Sequence, residues 1–589
     1  MKRLLALALT TGLATASCSG GGISHLLPGT SSPGARAARV APSDAIVAPA
    51  GWAATATRGA TIPSGADRGA LAPTTPLTVR VALNLHNEDS LKSLIAARQK
   101  ISAAQFAAQF GPAPSEVQSV VTYLRSQGFT NVQTSAQLVS ADGTAAQAAK
   151  AFNTTLESFS LGGANVYVNT QPAFVPTSLG NVVSAVLGLN NAARMAVHPV
   201  QRTNTQCFPG QASAPCLPLF DSAGVQKYYD VGSTPTASST TIAVISEGDV
   251  SAVVSDLRMA EAAQSLPQVP VTVVHVGLST PDTSGGGEWD LDTQSSTGMA
   301  GNVSMLYIYA TSSLTDSDIA NDYSRWVGDD LAQLGNSSFG ECEYQAFLDG
   351  ALKVDDHLFM QAAAQGQTMF ASTGDTGSAC ALAPTNGAPG SGPPMVSYPA
   401  ASPYVVGVGG TSAVANNDGS YAGETAWNAG GGGISQFENS TSWQQAVTPN
   451  STGLAATNLR GLPDIAMAAD PNLGGYNVYG ANVPGIGACP SGCGIGGTSE
   501  ASPLAMGSYA RLLTAHPALG FAAPQLYRNY IETNAAATTV TGPPPTQAYG
   551  GFHDEITGGN GAYTALPGYD YTTGLGSLDL SLMNAQIGT

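Results

Sequence analysis

From about residue 217 onward, short β-branched runs alternate with stretches of helical periodicity, and nothing else in the chain constrains its fold as much. "TTIAVISEG" reads as a buried strand and "VSAVVSDLRMAEAAQ" as the helix that follows it. "VPVTVVHVG" is a strand, "EWDLDTQSSTGMA" a helix start and "VSMLYIYA" a strand; "DHLFMQAAAQG" is a helix, followed by the strands "QTMFASTGD" and "PYVVGVGG". Short strands separated by helices predict a parallel α/β sheet, since parallel neighbours are joined through crossovers. Catalytic and ligand groups in such sheets collect where the strands' carboxyl ends meet loops.

A smaller unit precedes it. "LTVRVALNL" alternates like a strand, and "DSLKSLIAARQK" reads as a helix. "PSEVQSVVTYLRSQG" predicts a second helix with Ser115 as N-cap, Val117, Val120, Val121 and Leu124 on one face, and Gly128 as its stop. "NVQTSAQLVSADG" is a strand pair, "TAAQAAKAFN" a helix and "NVYVN" a strand. Together they predict a compact α+β domain over 78–198, bounded by linkers at 19–77 and 199–216, with the parallel-sheet domain at 217–589.

The first residues, 1–18, are not part of the fold. Lys2 and Arg3 precede an apolar run ending in small residues, the pattern of a secretory signal, so the protein is expected to be secreted. Cys18, followed by Ser-Gly-Gly-Gly, resembles a lipoprotein acceptor, although Thr15 stands where such signals usually carry Leu; lipid anchorage through Cys18 is the alternative. No later run approaches the ~18 apolar residues of a membrane span. The net charge of −18 argues against nucleic acid and anionic membranes as partners. Only 10% of residues are charged, so little repulsion builds up in acid.

Setting Cys18 aside leaves Cys207, Cys216, Cys342, Cys380, Cys489 and Cys493, an even number in an exported chain. No second cysteine pair and no histidine pair stands at zinc-ligand spacing, which favours disulfides. Cys207–Cys216, Cys342–Cys380 and Cys489–Cys493 are the expected pairs.

"GCGIGGTSEASPLAMG" poses the functional question, because Ser499 sits between small residues at a helix start, as a nucleophile does, and its proton needs an acceptor. Alone, Ser499 reads as an ordinary N-cap. G-T-S-x-x-x-P is shared by two groups of serine peptidases, the subtilisins and the sedolisins. A subtilisin needs a His-Gly-Thr-type helix start, and none of His25, His86, His198, His275, His357, His516 and His553 lies in one. "SGGGEWDLDTQ" offers carboxylates instead: Glu288 and Asp292 are i and i+4 on one helix face, with Asp290 pointing elsewhere. Two facing carboxyls share a proton and can serve as base and acid where imidazole would be protonated. In "FASTGDTGS", Asp375 ends a buried strand and, if protonated, can donate to an oxyanion. Singly, these are a decorated helix start and an Asp-turn.

In this order and spacing, the three segments resemble the sedolisins, or serine-carboxyl peptidases. The resemblance runs across nearly the whole chain after the signal and linker, through "AVISEGD", "NSSFGECE", "YPAASPYVVGVGGTS", "ETAWN", "GGGISQF" and "RGLPDIAMAADP". It implies a subtilisin-like catalytic domain behind a small α+β, ferredoxin-like activation prodomain that acts as an intramolecular inhibitor. It also implies Ser499 as nucleophile, Glu288 as general acid/base, Asp292 as its partner and Asp375 as oxyanion stabiliser. Glu247 matches a position that extends the carboxylate network in some members. Phe339 departs from the Trp that many carry.

The segments "FHDEITGGNG" and "LPGYDYTTGLGS" resemble the family's single structural Ca2+ site, whose oxygen ligands suit a hard cation. Asp570 is then one acidic ligand, Ile556, Leu566 and Gly568 offer carbonyls, and either Asp554 or Glu555 is the other acid. The expectation is a monomeric, acid-active serine-type endopeptidase made as a zymogen and acting on polypeptides. A tripeptidyl exopeptidase, a non-catalytic binding relative and a neutral serine hydrolase are the alternatives.

Overall fold

The computed structural model describes residues 46–197, 200–201, 220–380, 390, 392–447, 458–534 and 550–587. The expected signal with Cys18, the Cys207–Cys216 pair and most of the 199–216 linker lie outside the described residues.

The N-terminal domain is built from β1 (Pro76–Leu83), α1 (Glu88–Ala96), α2 (Pro114–Ser126), β2 (Thr130–Ser135), β3 (Leu138–Thr144), α3 (Ala145–Ala151) and β4 (Val183–Leu187). Its strands form an antiparallel sheet in the order β2-β3-β1-β4, the ferredoxin-like arrangement with the first strand inside. Val120, Val121 and Leu124 of α2 join Val79, Val81 and Val139 of the sheet in one apolar cluster. Ala113, not Ser115, is the N-cap of α2. Pro114 takes the first helical position, where its missing N–H costs nothing, and Glu116 accepts from the Ala113 amide at 2.7 Å.

The expected linker at 19–77 is folded over its described part. Trp52–Ala54 pairs with Phe174–Pro176, and Arg68–Ala70 pairs with the strand Leu156–Leu161, both antiparallel. Short segments added through their backbones need no hydrophobic period, and the sequence shows none.

In the C-terminal domain, β5 (Ala237–Glu247), β6 (Val271–His275), α4 (Gly286–Ala300), β7 (Val303–Thr311), β8 (Leu334–Ser337), α5 (Ala351–Gln365), β9 (Thr368–Ser372), β10 (Val406–Ala415), β11 (Tyr421–Ala426) and β12 (Ile465–Ala468) make up the central layers. The sheet runs β6-β7-β5-β8-β9-β10-β11 with β12 also on β10, and every pairing is parallel except β10 with β11. A two-stranded ribbon, β13 (Tyr476–Val483) and β14 (Gly487–Gly496), leads into α6 (Thr498–Ala515). Cys342–Cys380 and Cys489–Cys493 are bonded as expected.

Helix α4 is polar in sequence, yet all fifteen of its residues are buried. Its hydroxyls bond back to its own carbonyls: Thr293 to Trp289 O at 2.8 Å, Ser295 to Leu291 O at 2.6 Å and Thr297 to Thr293 O at 2.6 Å. Small residues let α6 come close, and a Cβ added to Gly507 would lie 2.5 Å from Ser296 O. This approach brings the acidic end of α4 against the first turn of α6.

The N-terminal domain docks on α5 and on the segment after β7. Glu88 lies 3.4 Å from Lys353 and 3.3 Å from His357, and Arg80 reaches Ser317 at 2.6 Å and Asp318 at 3.1 Å. Its exit segment makes antiparallel bridges Arg194–Thr315 and Ala196–Gly340; further on, Val200 and Gln201 pair with Gly496 and Ile495 of β14.

Candidate active site

The four residues expected to be catalytic meet at the carboxyl ends of the parallel strands. Ser499, in the first turn of α6, is 4% exposed and donates to Ser338 O at 3.4 Å. Glu288 and Asp292 lie one turn apart on α4, 1% and 0% exposed, which removes the reading of solvated acids decorating a helix start. Burial, and then neighbouring Asp292, push the Glu288 carboxyl well above the usual carboxylate range, while the Ser499 hydroxyl pulls the other way. Burial raises Asp292 likewise, against hydrogen bonds from Ser338 and Asn336. Burial and mutual repulsion in such a pair disfavour ionising both carboxyls at once.

Asp375 follows β9 in a tight turn. Its Oδ1 accepts from the Thr498 amide at 2.7 Å and the Thr498 hydroxyl at 2.8 Å, and burial pushes the carboxyl up to about 6. The chain enters α6 through Gly497 at φ 119°, where an added Cβ would lie 2.4 Å from Asp375 Oδ2, so only glycine can carry Ser499 past this carboxyl.

Three further residues complete the site, and sequence reasoning missed them. Ser338 donates to Asp292 Oδ1 at 2.6 Å, Asn336 donates to the Ser338 hydroxyl at 3.0 Å, and Ser502 donates to Asn336 Oδ1 at 2.6 Å. All are buried, and they form a hydrogen-bonded chain from α6 through the end of β8 to α4. Their only signal was membership of "NSSFGECE" and "TSEASP", where hydroxyl and amide side chains look ordinary.

Asp290 turns away toward Asp256, as its helical position predicts, and burial raises it to about 8. The Glu247 carboxyl, raised to about 7 chiefly by burial, faces Asp282 and Arg194, and its backbone carbonyl accepts from Trp289 Nε1 at 3.0 Å. Phe339 meets Trp289 edge to face at 6.1 Å. No histidine lines the cleft among the described residues; Ser338, Gly340, Asp375, Thr498 and Ser499 do, together with Ala196 of the exit segment. With that segment in place about 40 Å³ remains open.

Residues 63–192 match the pro-kumamolisin activation domain, and residues 277–553 match the subtilase family. Sedolisin from Pseudomonas sp. (strain 101) is 35% identical over 573 residues, 91% of this chain and 92% of its own. The chain belongs to the sedolisin family.

The relationship extends to a solved sedolisin, described as a serine-carboxyl proteinase complexed with two molecules of pseudo-iodotyrostatin. It is 34% identical with a TM-score of 0.55, and the match covers 63% of this chain and 98% of that one. Kumamolisin from Bacillus sp. (strain MN-32) is 27% identical, covering 87% of this chain and 92% of its own. The chain is therefore a serine peptidase of this family with an activation prodomain, and its N-terminal domain is that prodomain. No helix among the described residues is long and apolar enough to cross a membrane.

The C-terminal loops separate the two acids that the sequence left open. Asp554 Oδ2 accepts from the Gly568 amide at 2.8 Å, and Asp570 accepts from Leu566, Thr572 and Thr573 amides at 2.7–2.9 Å. Burial pushes Asp554 up to about 7, with Asp570 adding to it. Glu555 faces Glu424 and accepts from the Ser577 amide at 3.3 Å. Two buried carboxylates held this close suit a cation. Among the described residues no group of three or more His, Cys, Asp or Glu could hold a metal, so carbonyls such as those of Ile556, Leu566 and Gly568 would have to complete the shell.

Proposed function

We propose that this chain is the zymogen of a secreted, acid-active serine-carboxyl endopeptidase. The observation that carries the endopeptidase reading is the path of the exit segment. Its described stretches pair with Thr315 and Gly340 and then with Gly496 and Ile495, the residues that lead into Ser499. Pairing along both stretches supports a cleft open at both ends, as an endopeptidase needs and a tripeptidyl exopeptidase does not have. The N-terminal secretory pattern supports export.

The geometry supports the following reaction. Ser499 Oγ attacks the peptide carbonyl carbon and its proton passes to Glu288, whose negative charge is spread over the pair with Asp292. Ser338 and Asn336 hold Asp292 in place and favour its ionised form against burial. The oxyanion accepts a hydrogen bond from protonated Asp375, so the site needs a pH at or below about 6. Glu288 then protonates the leaving amine, and water, deprotonated by Glu288, releases the acyl group. Asp554 and Asp570, with the carbonyls of Ile556, Leu566 and Gly568, would hold a Ca2+ ion that ties the C-terminal loops together.

The test is cleavage of a denatured protein from pH 2 to 8 after acid activation, comparing the parent with Glu288→Ala and Ser499→Ala. An acidic optimum lost in both variants is expected. Activity that peaks near neutrality and survives Glu288→Ala would overturn the mechanism. Peptides blocked at the N-terminus separate the modes, since an exopeptidase leaves them intact.

A further inference from the structure

We propose that Thr498 is a positioning residue: by holding Oδ1 of Asp375 as an acceptor, it keeps the acid proton of that carboxyl on Oδ2, beside the Ser499 amide. This rests on the peptidase reading above and adds to it the residue that decides which oxygen of Asp375 donates.

Oδ1 of Asp375 takes two donors from one residue. It accepts from the Thr498 amide at 2.7 Å and from the Thr498 hydroxyl at 2.8 Å. The direction of the second bond is set from behind. The Gly374 amide, which can only donate, reaches Thr498 Oγ1 at 3.0 Å, so the hydroxyl accepts there and turns its own proton to Oδ1. The hydroxyl oxygen of a carboxylic acid is its poorer acceptor. An oxygen that takes two donors is therefore the carbonyl one, and the proton belongs to the other.

Oδ2 stands where that proton is useful. A Cβ added to Gly497 would lie 2.4 Å from Oδ2 and 3.6 Å from the Ser499 amide nitrogen, so both groups border one small gap beside the nucleophile. Asp375, Thr498 and Ser499 all line the cleft. The Ser499 N–H lies in the first turn of α6, where an amide has no intrahelical acceptor, and a proton on Oδ2 can donate beside it. A proton on Oδ1 would face Thr498 instead. Thr498 is itself 1% exposed, and its methyl stands 3.4 Å from where a Cβ on Gly410 of β10 would be, so packing as well as hydrogen bonding fixes the hydroxyl.

The same two donors favour the ionised form of Asp375 and oppose the burial that raises it to about 6. Glu288 of α4 faces it across the site, and the charge of Asp375 raises Glu288 in turn. Without the Thr498 hydroxyl the Asp375 carboxyl rises further. Because Asp375 works only while protonated, the decline of activity on the alkaline side then moves to higher pH. Turnover falls at the same time, since the proton is no longer confined to Oδ2.

The acid-activated parent would be compared with Thr498→Val, which keeps the shape and loses the hydroxyl, and with Thr498→Ser, which keeps the hydroxyl. Both kcat and KM would be measured on a peptide substrate from pH 2 to 8. For Thr498→Val, kcat is expected to fall about tenfold with KM within about twofold, and the alkaline limb to move up by about half a pH unit or more. Thr498→Ala carries the same expectation and replaces the valine variant should that one not fold. Thr498→Ser should restore the limb and most of kcat. In an Asp375→Asn background, which has no proton to place, removing the hydroxyl should move no limb. A limb that stays at the parent's pH in both Thr498→Val and Thr498→Ala would overturn the proposal, as would a loss that Thr498→Ser does not reverse. If the activated parent cleaves nothing, the peptidase reading falls, and this inference with it.

Discussion

Ser338 donates a hydrogen bond to Asp292 at 2.6 Å, while its own carbonyl accepts from Ser499, so one residue touches both ends of the reacting set. The hydroxyl favours the ionised form of Asp292 and opposes the effect of burial. Ser338→Ala removes this help, the pair holds its proton more tightly, and the acid limb of the pH–rate profile moves to higher pH. About a tenfold loss of kcat is expected. Ser338→Thr should restore the position of the limb, which a merely structural role would not explain.

Asp375 distinguishes a proton donor from a charge. Its carboxyl, raised to about 6 by burial, donates only while protonated, so activity should decline as pH rises through about 6. Asp375→Asn keeps a donor that cannot ionise and should lose that decline while retaining activity within about tenfold. Asp375→Ala should lose roughly 10²–10³ in kcat. Profiles of all three after activation decide the matter.

Release of the prodomain has its own pH term. Hydrogen bonding to His357, with nearby Lys353, pulls Glu88 down to about 2 from an ordinary 4.5. Its contribution to docking is therefore full above about 4.5 and drains away as pH falls toward 2. Glu88→Gln lacks the contribution at every pH, so autoprocessing, followed by gel over a pH series, should begin at a less acidic pH than in the parent.

The C-terminal loops predict a response to chelation. Removal of divalent ions should lower the melting temperature of the parent by several degrees, and added Ca2+ should restore it. Asp554→Asn and Asp570→Asn should melt lower and no longer respond. Glu555→Gln should respond like the parent, because Glu555 faces Glu424 instead.

Much of this was legible beforehand. Strand and helix periodicity reveals the parallel sheet, and the spacing of Glu288, Asp292, Asp375 and Ser499 brings out a family whose members place them together. The unread part has physical causes. Helix α4 is amphiphilic in neither period, since its buried Ser and Thr satisfy themselves on their own backbone, and its acids therefore read as solvent-facing. Ser338, Asn336 and Ser502 act through position alone, which their residue types do not announce. Residues 46–77 look like a linker because edge pairing asks nothing of side chains. Glu555 and Asp554 are neighbours whose side chains part company only in three dimensions.

Gly507 carries a lesson for anyone who would engineer this chain for heat resistance. A glycine inside a helix is an obvious replacement, since alanine there usually gains up to about 1 kcal/mol of helix stability. Here the added methyl would collide with Ser296 O and pry apart the two helices that carry Ser499 and Glu288. Gly507 is eight residues from Ser499, about 12 Å along the helix. A consensus-minded stabilisation at a site that meets no substrate would thus be paid for in turnover, and the variant would look well folded while working poorly.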